Sequence, residues 1–385
     1  MLKSHYSRFL AAAPGRLHFS AHSHHYWPDV TRDAVLQYWD DAARLSDSKW
    51  DHVFGEVVPK AQRHVARLLG LSRPQDVAFG PNTHELVWRA LSAVKRRPLR
   101  VLTTDSEFLS FTRQLGRLEE AGEAVATRLS VRPYESFDAR CAEAAARGGH
   151  DLVYLSHVFY DSGFVVADLP GIVAAVREPE TLVVIDGYHA FAALPVALRA
   201  IEARAFYTAG GYKYAQGGEN VGVLHAPPGL VPRPLDTGWF ASFGTLEQGA
   251  RQAVGYGADG MRFWSATYDP TGLYRFNAAW DLMESLGVTP DIIHTYVLGL
   301  QRRFLAGLEA APAAALPVEA LVTPRDLARQ GHFLTFERPE ALALGKALRE
   351  RDVIVDVRGT RVRFGFGVYH DETDVDALLA KLRAL

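Results

Sequence analysis

The 385-residue chain has little sulfur, with one cysteine, Cys141, and three methionines. A single cysteine excludes an intramolecular disulfide and fits a reducing compartment. There is also little excess charge: 42 Lys and Arg stand against 44 Asp and Glu, for a net charge of -2. Such a balance leaves no electrostatic footprint for nucleic acid or an anionic membrane surface. No apolar run approaches the length of a membrane span. The opening MLKSHYSRFLAAAPGR has basic residues, but Pro14 breaks its apolar run short of a signal h-region. Internal repeats and low-complexity segments are missing as well. These absences predict a soluble cytoplasmic protein with neither nucleic acid nor membrane as partner.

What is present is ordinary globular material, 48% hydrophobic and 22% charged, with length for two domains. From residue 76 to 226, short apolar runs alternate with helix-period segments. The strand candidates are Val77–Phe79, Val101–Thr103, Ala124–Leu129, Leu152–Ser156, Leu182–Asp186, Ala205–Thr208 and Val221–His225. Runs of that kind, apolar on both faces, predict an α/β fold with a largely parallel sheet covered on both sides. Residues 227–270 are irregular, which in a compact protein points to function or an interface. Helices are expected over 273–287 and 291–309. A βαβ-like unit then follows, built from HFLTFE, a helix over 339–351, VIVDVR, RVRFGF and a last helix.

The stretch FYTAGGYKYAQGGENVGVLHAP places Lys213 between two tyrosines, with two glycines on either side. The segment reads either as a glycine-rich turn with an exposed lysine or as a site where the backbone makes room for a bound group. In AFGPNTHELVWRAL, a strand ends, turns at Gly80-Pro81 and opens a helix. Asn82 and Glu85 have capping-box spacing, and a helix start after a strand is equally an anion site. In TLVVIDGYHAFAALP, Asp186 closes a buried-looking strand, where open α/β sheets bind ligands; a loop cap is the alternative. HFSAHSHHYW gathers His22, His24 and His25 without carboxylate or cysteine ligands at zinc-like spacing, so no metal is expected. Lys213, Asp186 and the Asn82-Thr83 helix start suit one chemistry together. Pyridoxal 5'-phosphate needs a Schiff-base lysine, a carboxylate for its pyridinium nitrogen and a phosphate pocket.

With those residues in view, the chain from about His18 to Phe366 resembles the class V group of fold-type I pyridoxal-phosphate enzymes, and within it the kynureninase branch. GGYKY resembles that branch's Tyr-Lys-Tyr signature, which implies Lys213 as the Schiff-base lysine and Tyr212 as a phosphate ligand. DGYHA is similar to its Asp-x-x-His-Ala motif, implying Asp186 on the pyridinium nitrogen and His189 on the phenolic oxygen. SHVFYDSG and NTHEL imply Ser156, Asn82 and Thr83 at the cofactor. TTDSEF falls at the cofactor-covering segment, with Asp105 matched and Phe108 as the stacking aromatic in place of Leu102. TGWFASF resembles a cofactor- and substrate-contacting segment and keeps Trp239, while Ser242 stands at its histidine position. RFWSATYDPTG resembles an element reaching a neighbouring subunit's phosphate, through Thr267 or Ser265. RVRFGFGVYHDETDVDALL resembles the segment supplying the substrate-carboxylate arginine, here Arg363; a domain-interface ion pair is the other reading. The resemblance further implies substrate contacts from Ser23, His24 and Trp239, and a homodimer with the active site at the subunit interface. It divides the chain into an N-terminal segment over 1–45 packing on the active site and small domain, a large cofactor-binding domain over 46–285 with a mostly parallel seven-stranded sheet, and a small C-terminal α/β domain over 286–385.

The reaction expected from the resemblance is hydrolytic C–C cleavage of L-kynurenine or a related β-aroyl amino acid, giving an aromatic acid and alanine. Trp239, Phe240 and Tyr26 offer aromatic surface for such a ring. A class V aminotransferase uses the same groups and is the alternative. A cysteine desulfurase or lyase is third, because a desulfurase needs a nucleophilic thiol and residues 321–370 contain no cysteine.

Overall fold

The computed structural model describes residues 2–248 and 254–385. A short strand, β1 (Leu17–His18), precedes two helices, Val30–Leu45 and Val58–Leu69. Seven strands then form the main sheet: β2 (Val77–Gly80), β3 (Leu99–Thr104), β4 (Ala124–Leu129), β5 (Leu152–Ser156), β6 (Leu182–Asp186), β7 (Ala205–Gly210) and β8 (Gly222–His225). Their order is β2-β8-β7-β6-β5-β3-β4. From β4 across to β7 every pairing is parallel, while β8 runs antiparallel to both β7 and β2. The sequence explains this arrangement. LVYLS in β5 and LVVID in β6 are buried at every position, so neither face is left for water and helices must cover both.

Parallel strands that share a direction end on one edge, and here that edge carries polar groups. Ser156 closes β5 opposite Asp186, which closes β6 and lies opposite Thr208 of β7. The helix Thr83–Leu91 starts at the same edge. Its first turn is capped by the Asn82 side chain, which accepts from the Glu85 backbone N–H at 3.0 Å. The loop after β7 brings in Lys213 and is pinned from behind by the helix Thr271–Ser285. From that helix, the Trp280 indole N–H donates to the Ala215 carbonyl at 3.0 Å and the Arg275 guanidinium donates to the Gly217 carbonyl at 2.8 Å.

A smaller sheet follows the long helix Pro290–Ala310. Its strands are β9 (Phe333–Glu337), β11 (Asp356–Arg358) and β12 (Arg361–Gly365), after the two-residue β10 (Val353–Ile354), in the order β11-β12-β9. The βαβ-like unit expected from the sequence forms in split form: β9 and β11 run in the same direction, joined through the helix Ala341–Arg349, and β12 lies between them, antiparallel to both. The run VIVDVR splits at Val355: its first half pairs in parallel with β1, and its second half turns back through Gly359-Thr360 into β12. A two-residue connection permits only antiparallel neighbours. The N-terminal residues close over this part of the molecule. The Leu2 N–H donates to the Val368 carbonyl at 3.1 Å, Lys3 pairs with Asp371 and Asp374, and Ser20 bridges to Gly365.

Trp280 is 2% exposed, so its ring fills core volume as well as holding the lysine loop. Trp280→Ala is expected to lose about 3–5 kcal/mol of stability. Trp280→Phe keeps most of the packing and should lose about 1 kcal/mol, for the missing hydrogen bond. Denaturant midpoints of the two variants against the parent check both values.

Candidate active site

Lys213 lies in a pocket of about 370 Å³ lined by Thr83, Phe108, Ser156, Asp186, Tyr188, His189 and Tyr212 among others. Its amine sits 2.7 Å from Nε2 of His189 and 4.6 Å from the centre of the Tyr188 ring. Burial pushes the amine down to about 7; the Asp186 carboxylate pulls the other way, and the Arg363 guanidinium adds to the lowering. The result is an amine with a substantial unprotonated fraction at neutral pH, able to act as a nucleophile or base. His189 is held far below its ordinary value by burial and then by Lys213 and Arg363, so its ring is neutral. Asp186 is raised by burial and lowered by its partners, the Tyr188 backbone N–H at 2.9 Å, Lys213 and the Tyr154 hydroxyl at 3.0 Å. A second cleft of about 560 Å³ shares Thr83, Phe108 and Asp186 with this pocket and is otherwise mostly apolar, with Trp88, Phe111 and Tyr154 in its wall.

Several of the glycines flanking Lys213 are closely packed. They make room for the protein's own side chains. A Cβ at Gly210 would sit 2.1 Å from the Tyr188 ring, and those at Gly211 and Gly217 would press on Val221 and Phe276. Reciprocally, a Cβ at Gly187 would sit 2.0 Å from the Tyr207 ring. Each loop holds a hole for a ring of the other.

Eight of the residues singled out from sequence are drawn together here: Thr83, Phe108, Ser156, Asp186, His189, Tyr212 and Lys213 line the pocket, and Arg363 stands close enough to act electrostatically on Lys213. Arg363 is 4% exposed, pairs with Asp356 through Nε at 2.9 Å and donates to the Tyr160 carbonyl. It is therefore both an ion-pair residue and a cation beside the pocket. Other residues go elsewhere. Asn82 is exposed and spends its amide on Glu85. The exposed Asp105 accepts from the Val131 N–H at 3.0 Å and does not line the pocket. Trp239 donates to Thr267 at 3.2 Å; they and Ser265 also lie outside its lining in the single chain. Ser23 lies in a backbone turn onto Ser20, and His24 pairs with Glu219 at 3.6 Å. The histidine-rich segment does not converge on a common centre, since His25 bonds the Tyr26 carbonyl and His22 stacks on Phe333.

Three residues of the site were not singled out from sequence, and a fourth, His22, was read there only as one of a histidine cluster. Tyr188 faces the amine and sits between two residues already singled out. Tyr154 holds Asp186 and is read from strand alternation in β5. His22 is fully buried beside Arg363, His189 and Lys213, and neither of its ring nitrogens has a hydrogen-bond partner. Glu107, one residue before Phe108, is 2% exposed and bonded to Ser156. A carboxylate between a buried strand end and an aromatic was the available signal.

The donor set fits pyridoxal 5'-phosphate. Lys213 offers an amine, Asp186 a buried carboxyl, and Thr83 lies at a helix N-terminus whose free N–H groups favour a phosphate. The unpartnered ring of His22 leaves polar capacity beside Arg363 for a further polar group. The profile of the family described as Aminotransferase class-V matches residues 19–378. Among curated proteins, a kynureninase of Pseudomonas fluorescens is 33% identical over 222 residues, covering 56% of this chain and 51% of the relative. A kynureninase of Burkholderia mallei is 29% identical over 217 residues, covering 55% and 50%. The chain thus spans about half the length of the curated relatives it matches. Among solved structures, an apo cysteine desulfurase of Thermococcus onnurineus NA1 superposes with TM-score 0.79 at 17% identity, over 96% of this chain and 94% of that one. A cystine C–S lyase in complex with its product cysteine persulfide gives 0.78 at 18% identity, over 97% and 99%. At those identities the structures establish the fold alone. The cofactor of this fold and family is pyridoxal 5'-phosphate, and the chain belongs to the class-V aminotransferase family.

Proposed function

We propose that the protein is a kynureninase-like hydrolase, cleaving the Cβ–acyl bond of L-kynurenine or a related β-aroyl amino acid. Water supplies hydroxyl to the acyl carbon and a proton to the β-carbon, so an aromatic acid and alanine leave. The observation that carries the reading is the Lys213 amine, lowered to about 7 beside Asp186 and His189, in a chain similar to kynureninases over about half its length. Bound pyridoxal phosphate would supply an electron sink for the pair released at the substrate α-carbon.

Lys213 would hold the cofactor covalently through Nζ, Asp186 would face its ring nitrogen, and Thr83 with Tyr212 would take its phosphate. Lys213 Nζ, unprotonated for a substantial fraction of the time at neutral pH, would accept the substrate α-proton. Neutral His189, 2.7 Å from Nζ, keeps that amine from wandering. Arg363 would take the substrate carboxylate by its planar fork. The aromatic walls, Phe108 and Tyr188, exclude water from the amine. A homodimer in a reducing cytoplasm is part of the proposal, and its second chain would bring Trp239, Ser265 and Thr267 to the site.

Desulfurase chemistry through a protein cysteine persulfide is disfavoured by the one cysteine. Cys141 is buried in the helix Phe137–Ala146 and its thiol is pushed up to about 12 by burial, so it offers no thiolate.

With added pyridoxal phosphate, the wild type should develop a visible absorption band that Lys213→Ala lacks. Adding L-kynurenine to the same cuvette should yield the aromatic acid and alanine in equal amounts. A keto acid with the amine form of the cofactor would identify an aminotransferase instead. The rate of cofactor capture by the apo protein has a predictable pH dependence. An amine lowered to about 7 is protonated and inert below that pH, so stopped-flow capture should accelerate roughly tenfold per unit up to about pH 7 and flatten above it.

A further inference from the structure

Glu107 stands apart from the residues the reaction uses, yet its carboxyl lies directly behind one of them. It follows β3, is 2% exposed and takes part in no ion pair among the described residues. Its Oε1 accepts from the Thr104 hydroxyl at 2.8 Å and from the Ser156 backbone N–H at 3.2 Å. Its Oε2 lies 2.6 Å from the Ser156 hydroxyl oxygen. Ser156 is the pocket-lining residue that closes β5, opposite Asp186 in the sheet. Thus two buried carboxyls, Glu107 and Asp186, flank one serine on the pocket floor, with the Lys213 amine acting on Asp186.

We propose that Glu107 is a positioning residue for the pyridoxal-phosphate site, which decides whether the Ser156 hydroxyl donates or accepts a hydrogen bond toward the cofactor. Two bonding arrangements satisfy the observed 2.6 Å contact. With its proton on Oε2, Glu107 donates to the Ser156 oxygen, and the serine hydrogen is free to point into the pocket. With Glu107 ionised, the serine must donate to Oε2, and it shows the pocket a lone pair only. The second arrangement also sets a new negative charge beside Asp186. The inference needs the cofactor, which the family supplies, and not the choice of reaction.

The groups facing Glu107 favour the first arrangement at neutral pH. Asp186 comes from β6, Tyr154 from β5 and Cys141 from the helix Phe137–Ala146; none of them is a cation. Burial is the largest influence and, with the Asp186 charge, raises the carboxyl to about 8, against the opposing pull of the Ser156 and Thr104 hydrogen bonds. The proton is therefore bound below about pH 8 and lost above it. Two carboxyls this close do not both ionise readily, and Asp186, which has the lysine, is the one that does.

The test compares Glu107→Gln, Glu107→Ala and Ser156→Ala with the wild type, each loaded with pyridoxal phosphate, by visible absorption against pH and by cofactor dissociation constant. Infrared spectra of the apo proteins read the buried carboxylic acid directly. Wild type should show an acid carbonyl band that disappears as pH rises through about 8, and a cofactor spectral transition in the same range. Glu107→Gln keeps a donor to Ser156 at all pH values. It should lack both changes and bind cofactor within about threefold of wild type at pH 7. Glu107→Ala should bind about tenfold more weakly, the loss of one hydrogen bond to a buried group. Ser156→Ala should keep the infrared band but lose the spectral transition. The proposal is overturned if Glu107→Gln leaves the spectral transition in place. It is equally overturned if Glu107→Gln weakens cofactor binding at pH 7 as much as Glu107→Ala does, since that would mean the charge matters. A Glu107→Ala protein that only melts earlier, with an unshifted spectral transition, would assign a purely structural role and also overturn it.

Discussion

A lysine amine taken out of water is unstable as a cation, and the architecture around Lys213 follows from that constraint. Desolvation of an ammonium costs several kcal/mol unless it is paired or gives up its proton. Here both routes are used in part. The amine is lowered to about 7, and the Asp186 carboxylate stands by for its charged form. The strands feeding these two groups are neighbours in the sheet, β6 and β7, so their positions follow from backbone hydrogen bonds rather than from flexible side chains. Neutral His189, the tyrosine walls and the cap at Asn82 all serve a pocket that must stay dry and polar only at chosen points.

Much of the large sheet was legible in the sequence, for a physical reason. Strands covered on both faces are continuous apolar runs, as in β5 and β6, while the edge strand β4, AVATRL, is mostly exposed and keeps only a weaker apolar pattern. The helices Val30–Leu45 and Val58–Leu69 were not among the elements expected, although the second carries a clear apolar stripe and Pro59 in its first turn. In the small sheet a single strand was misread. VIVDVR reads as one strand, and only the turn at Gly359-Thr360 reveals that it serves two partners. Turn chemistry, not apolar period, fixes strand direction there.

The site was legible where a residue's chemistry is rare in its setting, as with a lysine among glycines or an aspartate ending an apolar strand. Residues acting through others were hidden. Glu107 resembles any polar residue in a loop until the sheet places it against Ser156, and Tyr154 counts as one more apolar position until its hydroxyl reaches Asp186. Asp105 shows the converse. It holds a promising motif position, yet the backbone turns it outward onto Val131.

The exchange of rings and glycines between the two loops has an evolutionary meaning. Tyr207 sits in the space left by Gly187, and Tyr188 in that left by Gly210. A larger residue at either glycine is tolerated only with a smaller one at the facing tyrosine, so the four positions drift as two linked pairs. The fit between the ends of β6 and β7 is thus inherited as matched pairs of positions and not residue by residue.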